Sequence, residues 1–142
     1  MTDHVVDSCV AAKWILKEAD SPLALKFASD VLSVGSRLIV LDLAFVEITN
    51  AIWKQFHRKL VTLAETDGYL DDLFLSPMHP HPAHPLLRPA FKIATKYGRS
   101  VYDALFVALS QNLGLPGITT DEPLFNAVHI DFPQIILLRD WP

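Results

Sequence analysis

The sequence predicts an α/β fold, a three-layer α/β/α sandwich around a mainly parallel central sheet. Three observations carry this. "SRLIVLD" and "QIILL" are short, continuous apolar runs, the pattern of strands covered on both faces. Longer segments with helical periodicity separate such runs, so strands and helices alternate. Each run also closes on a polar residue, which sets functional groups at one edge of the sheet.

In order, "HVVDSCVAAKWILKE" gives a buried strand ending near Asp7, a turn, and a helix from about Val10 to Lys17. "DSPLALKFASDVLSVG" is a second helix, capped by Asp20 or Ser21, with Pro22 in its first turn and Gly35 ending it. "SRLIVLD" is the second strand. "LAFVEITNAIWKQFHRKL" is a long helix, and "TLAETDGYLDDLFL" a shorter one starting at Thr62. The proline-rich "MHPHPAHPLL" is an extended edge segment leading to a helix over about 86–97. The helix holding Asp103 follows, then the strand "PGITTD", a helical "EPLFNAV" capped by Asp121, and a last strand, "QIILL". No repeat or linker interrupts the pattern, so one domain is expected over 1–142.

Composition narrows the function. The formal net charge of -4 gives no overall attraction for nucleic acid and counts against a simple DNA- or RNA-binding module. The lone cysteine, Cys9, excludes an intramolecular disulfide framework and a Cys-rich zinc site. No apolar run approaches the roughly 18 to 20 residues of a membrane span, and Met1-Thr2-Asp3-His4 lacks a signal-peptide pattern. A cytoplasmic protein is expected.

Four acidic residues stand in apolar surroundings. Asp103 lies in "SVYDALFVAL", three residues after Ser100, a spacing that suits a helix cap. Glu47 lies in "LAFVEITNAIW" with Asn50 at i+3 and Lys54 at i+7, where an isolated charge is normally paired or coordinated. Asp7 and Asp121 each follow a strand, where a turn or cap is the ordinary role. Brought together, they repel: at about 6 Å and an effective dielectric of about 20, each pair costs roughly 3 kcal/mol. Such a cluster must hold protons or a divalent cation, and an all-oxygen set suits Mg²⁺ or Mn²⁺ rather than zinc.

These residues, in this order and context, resemble the PIN-domain nucleases, most closely the VapC-type toxins of bacterial toxin–antitoxin pairs. "VVDSCVAAKWIL", "LIVLDLAFVEITNAIWK" and "SVYDALFVALSQNLGLPGITTDEPLF" carry the resemblance, which covers nearly the whole chain. It implies a metal-dependent ribonuclease, usually homodimeric, held inactive by a cognate antitoxin. By this resemblance Asp7, Glu47, Asp103 and Asp121 bind one or two Mg²⁺ or Mn²⁺ ions for hydrolysis of the RNA phosphodiester, while Asn50 and Thr119 orient the carboxylates. One departure stands two residues after the first Asp. The family's Ser, Asn or Thr is replaced there by Cys9, and Ser8 is the hydroxyl that could substitute.

Other features have ordinary readings. His79, His81 and His84 suit a solvated edge segment better than a zinc site, and Glu122 suits a solvated helix start. The run from Lys54 to Lys59 and the group Lys92, Lys96 and Arg99 fit solvated helix faces or RNA-backbone contacts alike. Trp14, Trp53 and Phe56 are expected in core or dimer packing. Receiver domains and haloacid dehalogenase-like phosphatases need acidic pairs after the first strand that "VVDSC" does not supply. The alternative from another class is a PIN-like module that acts mainly by protein docking.

Overall fold

The computed structural model describes residues 2–142. Its strands are β1 (His4–Val6), β2 (Leu38–Leu41), β3 (Met78–His81), β4 (Gly117–Thr119) and β5 (Ile135–Leu137). The α-helices are α1 (Ser8–Ile15), α2 (Ser21–Ser33), α3 (Leu43–His57), α4 (Leu63–Leu75), α5 (Leu87–Tyr97), α6 (Val101–Leu113) and α7 (Glu122–Val128). The strands form one sheet in the order β3-β2-β1-β4-β5, with every pairing parallel.

Alternation along the strands divides the core in two. Val6, Leu38, Val40 and Ile118 face a cluster with Phe27 of α2, Ile48 of α3 and Leu73 of α4. Val5, Ile39 and Ile135 face the other way, onto Ala90 of α5, Leu105 and Leu109 of α6 and Leu124 of α7. Successive strand residues point to opposite faces, so strands buried on both sides must be apolar throughout. That is why "LIVL" shows no alternation, and the three-layer architecture follows from it.

Some side chains are demanded by close packing. A Cβ on Gly117 would lie 2.9 Å from Phe106 Cζ and 3.0 Å from Ile135 Cδ1, so glycine lets α6 seat against the sheet. His4, Phe27 and Trp141 meet edge to face, with centroids 4.8 to 5.6 Å apart. The Trp141 indole also donates to Asp30 at 2.8 Å, which pins the C-terminal segment to α2.

The expected elements are present, with shifted boundaries. No turn separates β1 from α1: the helix starts at Ser8, because the Asp7 carbonyl already accepts the amides of Val10 and Ala11. Neither α1 nor α3 runs to its expected end. The α3 helix stops at His57, and Lys59 takes a left-handed φ of 58° before the Thr62 cap. There the Thr62 hydroxyl accepts the Glu65 amide while the Glu65 carboxylate accepts the Thr62 amide, a complete capping box. The proline-rich segment does form an edge strand, β3, a position that tolerates a residue without an N–H. No α-helix among the described residues is long and apolar enough to cross a membrane.

Candidate active site

Strand order reverses between β1 and β4, since the chain moves outward to β2 from one and to β5 from the other. Parallel sheets open a crevice beyond the carboxyl ends of the strands at such a point. A cavity of about 120 Å³ lies there, and Asp7, Ser8, Cys9, Glu47, Tyr102, Asp103 and Asp121 all line it. The four acids come from four separate elements. Asp7 follows β1, Glu47 sits in the second turn of α3, Asp103 in the first turn of α6, and Asp121 caps α7.

One hydroxyl ties the first and fourth acids. Thr119, fully buried at the end of β4, donates to Asp7 Oδ2 at 2.8 Å, and its oxygen accepts the Asp121 amide at 3.0 Å. Asp121 Oδ1 in turn accepts the Leu124 amide at 3.0 Å, which fixes that carboxylate as the α7 cap. Cys9 supports the same corner. Its sulfur accepts the Thr120 amide at 3.4 Å and lies 3.6 Å from Thr119 Oγ1, while burial, with Asp7 nearby, pushes the thiol up to about 12. The thiol therefore packs and hydrogen-bonds as a neutral group.

The electrostatics show a site short of positive charge. Burial lifts Asp7 to about 6, reinforced by the negative charges of Glu47 and Asp103 and opposed by hydrogen bonds from Thr119 and Cys9. Glu47 is raised too, chiefly by burial of its carboxyl group and also by Asp103, with the Ser8 side chain pulling the other way. The cation in reach is Arg99. Its Nη2 donates to Asp103 Oδ2 at 2.9 Å and stands 3.7 Å from Asp121 Oδ2.

Some expectations change in three dimensions. Glu47 belongs to an amphipathic helix that buries only Ala44, Ile48 and Ile52, so it stands at the cavity rim rather than among buried neighbours. Asn50, although three residues from Glu47 and so its neighbour on the helix surface, lines a separate hollow with Phe45, Val46, Thr49, Trp53, Leu73 and Phe74. Ser8 and Cys9 divide the work expected of one hydroxyl, Ser8 toward Glu47 and Cys9 toward Thr119 and Thr120. Glu122 points away from the cavity and pairs with Arg139 at 2.6 Å. Trp53 and Phe56 are exposed on this chain. Arg99 is not on a solvated face with Lys92 and Lys96 but is turned into the acids. Its place four residues before Asp103, the spacing of a helical ion pair, was the signal for it.

The donor set fits a hard divalent cation in kind: carboxylate oxygens and hydroxyls line the cavity, and Asp7 lacks a full positive partner. As they stand, no three His, Cys, Asp or Glu side chains among the described residues form a ready-made metal-holding group. The Arg99 guanidinium takes part of their charge instead.

The chain, a doubly covered parallel sheet with four acids beside its switch point, belongs to the PIN-domain family, whose model matches residues 4–129. Among individual proteins, Ribonuclease VapC3 from Pyrobaculum aerophilum is 34% identical over 123 residues, spanning 84% of this chain and 90% of that one. Two solved structures share the fold. PAE2754 from Pyrobaculum aerophilum superposes with a TM-score of 0.72 at 22% identity, covering 97% of this chain and 85% of its own. A toxin–antitoxin complex from Klebsiella pneumoniae gives 0.64 at 13% identity, covering 96% and 98%.

Proposed function

We propose that this protein is a divalent-metal-dependent ribonuclease acting as the toxin of a toxin–antitoxin pair. The observation that carries the reading is the convergence of Asp7, Glu47, Asp103 and Asp121 on one small cavity, with Thr119 bridging the first and the last. The 34% identity to a protein named a ribonuclease supplies the substrate class. The likeness to a toxin–antitoxin complex supports an antitoxin partner. So do the exposed apolar side chains Val46, Trp53 and Phe74 about the hollow between α3 and α4, more than scattered surface residues would leave.

In this reading the four carboxylates would hold Mg²⁺ or Mn²⁺, which would supply Lewis-acid charge and lower the pKa of bound water. The chain's own work is positioning. Thr119 and the Leu124 amide hold Asp7 and Asp121 in fixed orientations, so the acids do not have to be ordered when the ion arrives. Burial that disfavours a bare Asp7 carboxylate leaves that group in want of a cation.

Inducible expression in a bacterial host tests the proposal. Wild type is expected to stop growth and to generate discrete RNA fragments, and Asp7→Asn at equal expression to do neither. Equal growth arrest by both would favour action by docking, and cleavage would lose its place in the account.

A further inference from the structure

Resting on the nuclease reading, we propose that Arg99 is the residue that binds a backbone phosphate of the RNA at this site. Its position is fixed from both sides. Gly98 before it has a left-handed φ of 66°, Ser100 after it caps α6, and its own amide donates to the Ala94 carbonyl at 3.1 Å. The side chain is only 26% exposed and is the one cation among the described residues within ion-pair range of the four acids.

The manner of its pairing points beyond a structural counter-ion. A guanidinium holds a carboxylate best through two parallel N–H···O bonds. Arg99 uses a single nitrogen, Nη2, toward both Asp103 and Asp121, and its Nε is buried without an acceptor. A phosphodiester offers the match the acids do not, because its two non-bridging oxygens can take the Nη1–Nη2 edge, of which Arg99 commits only Nη2. Binding there would draw Nη2 away from Asp103 and Asp121, whose charge a divalent cation held by the acids would then balance. Exposed Tyr102 lines the same cavity beside Asp103.

The test is fluorescence anisotropy of a labelled, mixed-sequence single-stranded RNA in Mn²⁺. The parent is the Asp7→Asn chain, which keeps Arg99, Asp103 and Asp121 and does not cut on the nuclease reading. Adding Arg99→Gln should weaken RNA binding about tenfold and lower the salt slope by about 0.7, the value of one phosphate contact to a single strand. Arg99→Lys should keep the slope and lose part of the affinity. Lys26→Gln, which removes a cation paired with Asp30 on α2, should stay within about twofold. Mn²⁺ binding without RNA, followed by electron paramagnetic resonance, should be undiminished in Arg99→Gln. An unchanged salt slope in Arg99→Gln would overturn the proposal, as would loss of Mn²⁺ binding alongside RNA binding, since Arg99 would then act only through the acids. RNA bound by neither the parent nor wild type would instead remove the nuclease reading, and this proposal with it.

Discussion

Replacing Asp7 by Asn should stabilise the metal-free protein at neutral pH, and the gain should vanish in acid. Folding raises the Asp7 carboxyl from its ordinary 3.8 to about 6, chiefly because burial penalises the charged form. Between those values the folded state binds the proton and the unfolded state does not, so stability falls as pH rises through this window. At about 1.4 kcal/mol per pH unit, the full rise corresponds to about 3 kcal/mol at pH 7. Asparagine avoids the loss because it carries no charge, and its amide oxygen can still accept the Thr119 hydroxyl. The assay is urea unfolding with chelator present at pH 4, 5, 6 and 7, comparing variant with wild type. Carboxylates held low by partners, such as Asp3 beside Arg37, shape both profiles equally and cancel in the difference. A variant no more stable than wild type at pH 7, or a difference that does not shrink toward pH 4, would refute the reasoning.

Further outcomes can be checked with the same unfolding measurement. Thr119→Val removes both the donor to Asp7 and the acceptor of the Asp121 amide inside the protein, at a cost of about 1–3 kcal/mol, and Thr119→Ser should recover most of it. Ser100→Ala deletes the oxygen that accepts the Asp103 amide at 3.1 Å and should cost about 1 kcal/mol, or roughly 4 °C in Tm.

Much of this was legible in the sequence because the strands are buried on both faces and the helices carry clear start and stop residues. Ser100 and Asp121 cap as the sequence predicts, and α4 begins at Thr62 as expected, with a capping box beyond that expectation. Asp103 caps as expected, its amide donating to the Ser100 hydroxyl, and its carboxylate lines the cavity, where it accepts from Arg99. What stayed hidden depends on side-chain direction. Glu47 and Asn50 are three residues apart, yet one reaches the acidic cavity and the other an apolar hollow. Apolar neighbours in sequence made α3 look buried, whereas Val46 is 68% exposed. Arg99 looked like one of several surface cations. The left-handed Gly98 and the Ser100 cap place it among the acids, and composition does not record that.

The central claim, that the four acids form a metal-dependent RNA-cleaving centre, is tested most directly in vitro. Purified wild type and Asp7→Asn, prepared identically, are incubated with mixed RNA in Mn²⁺, in Mg²⁺ and with chelator. The account predicts cleavage by wild type that needs the ion and is lost in Asp7→Asn. Wild type that binds Mn²⁺ yet leaves every RNA intact, or cleavage that persists with chelator and with Asp7→Asn, would contradict it.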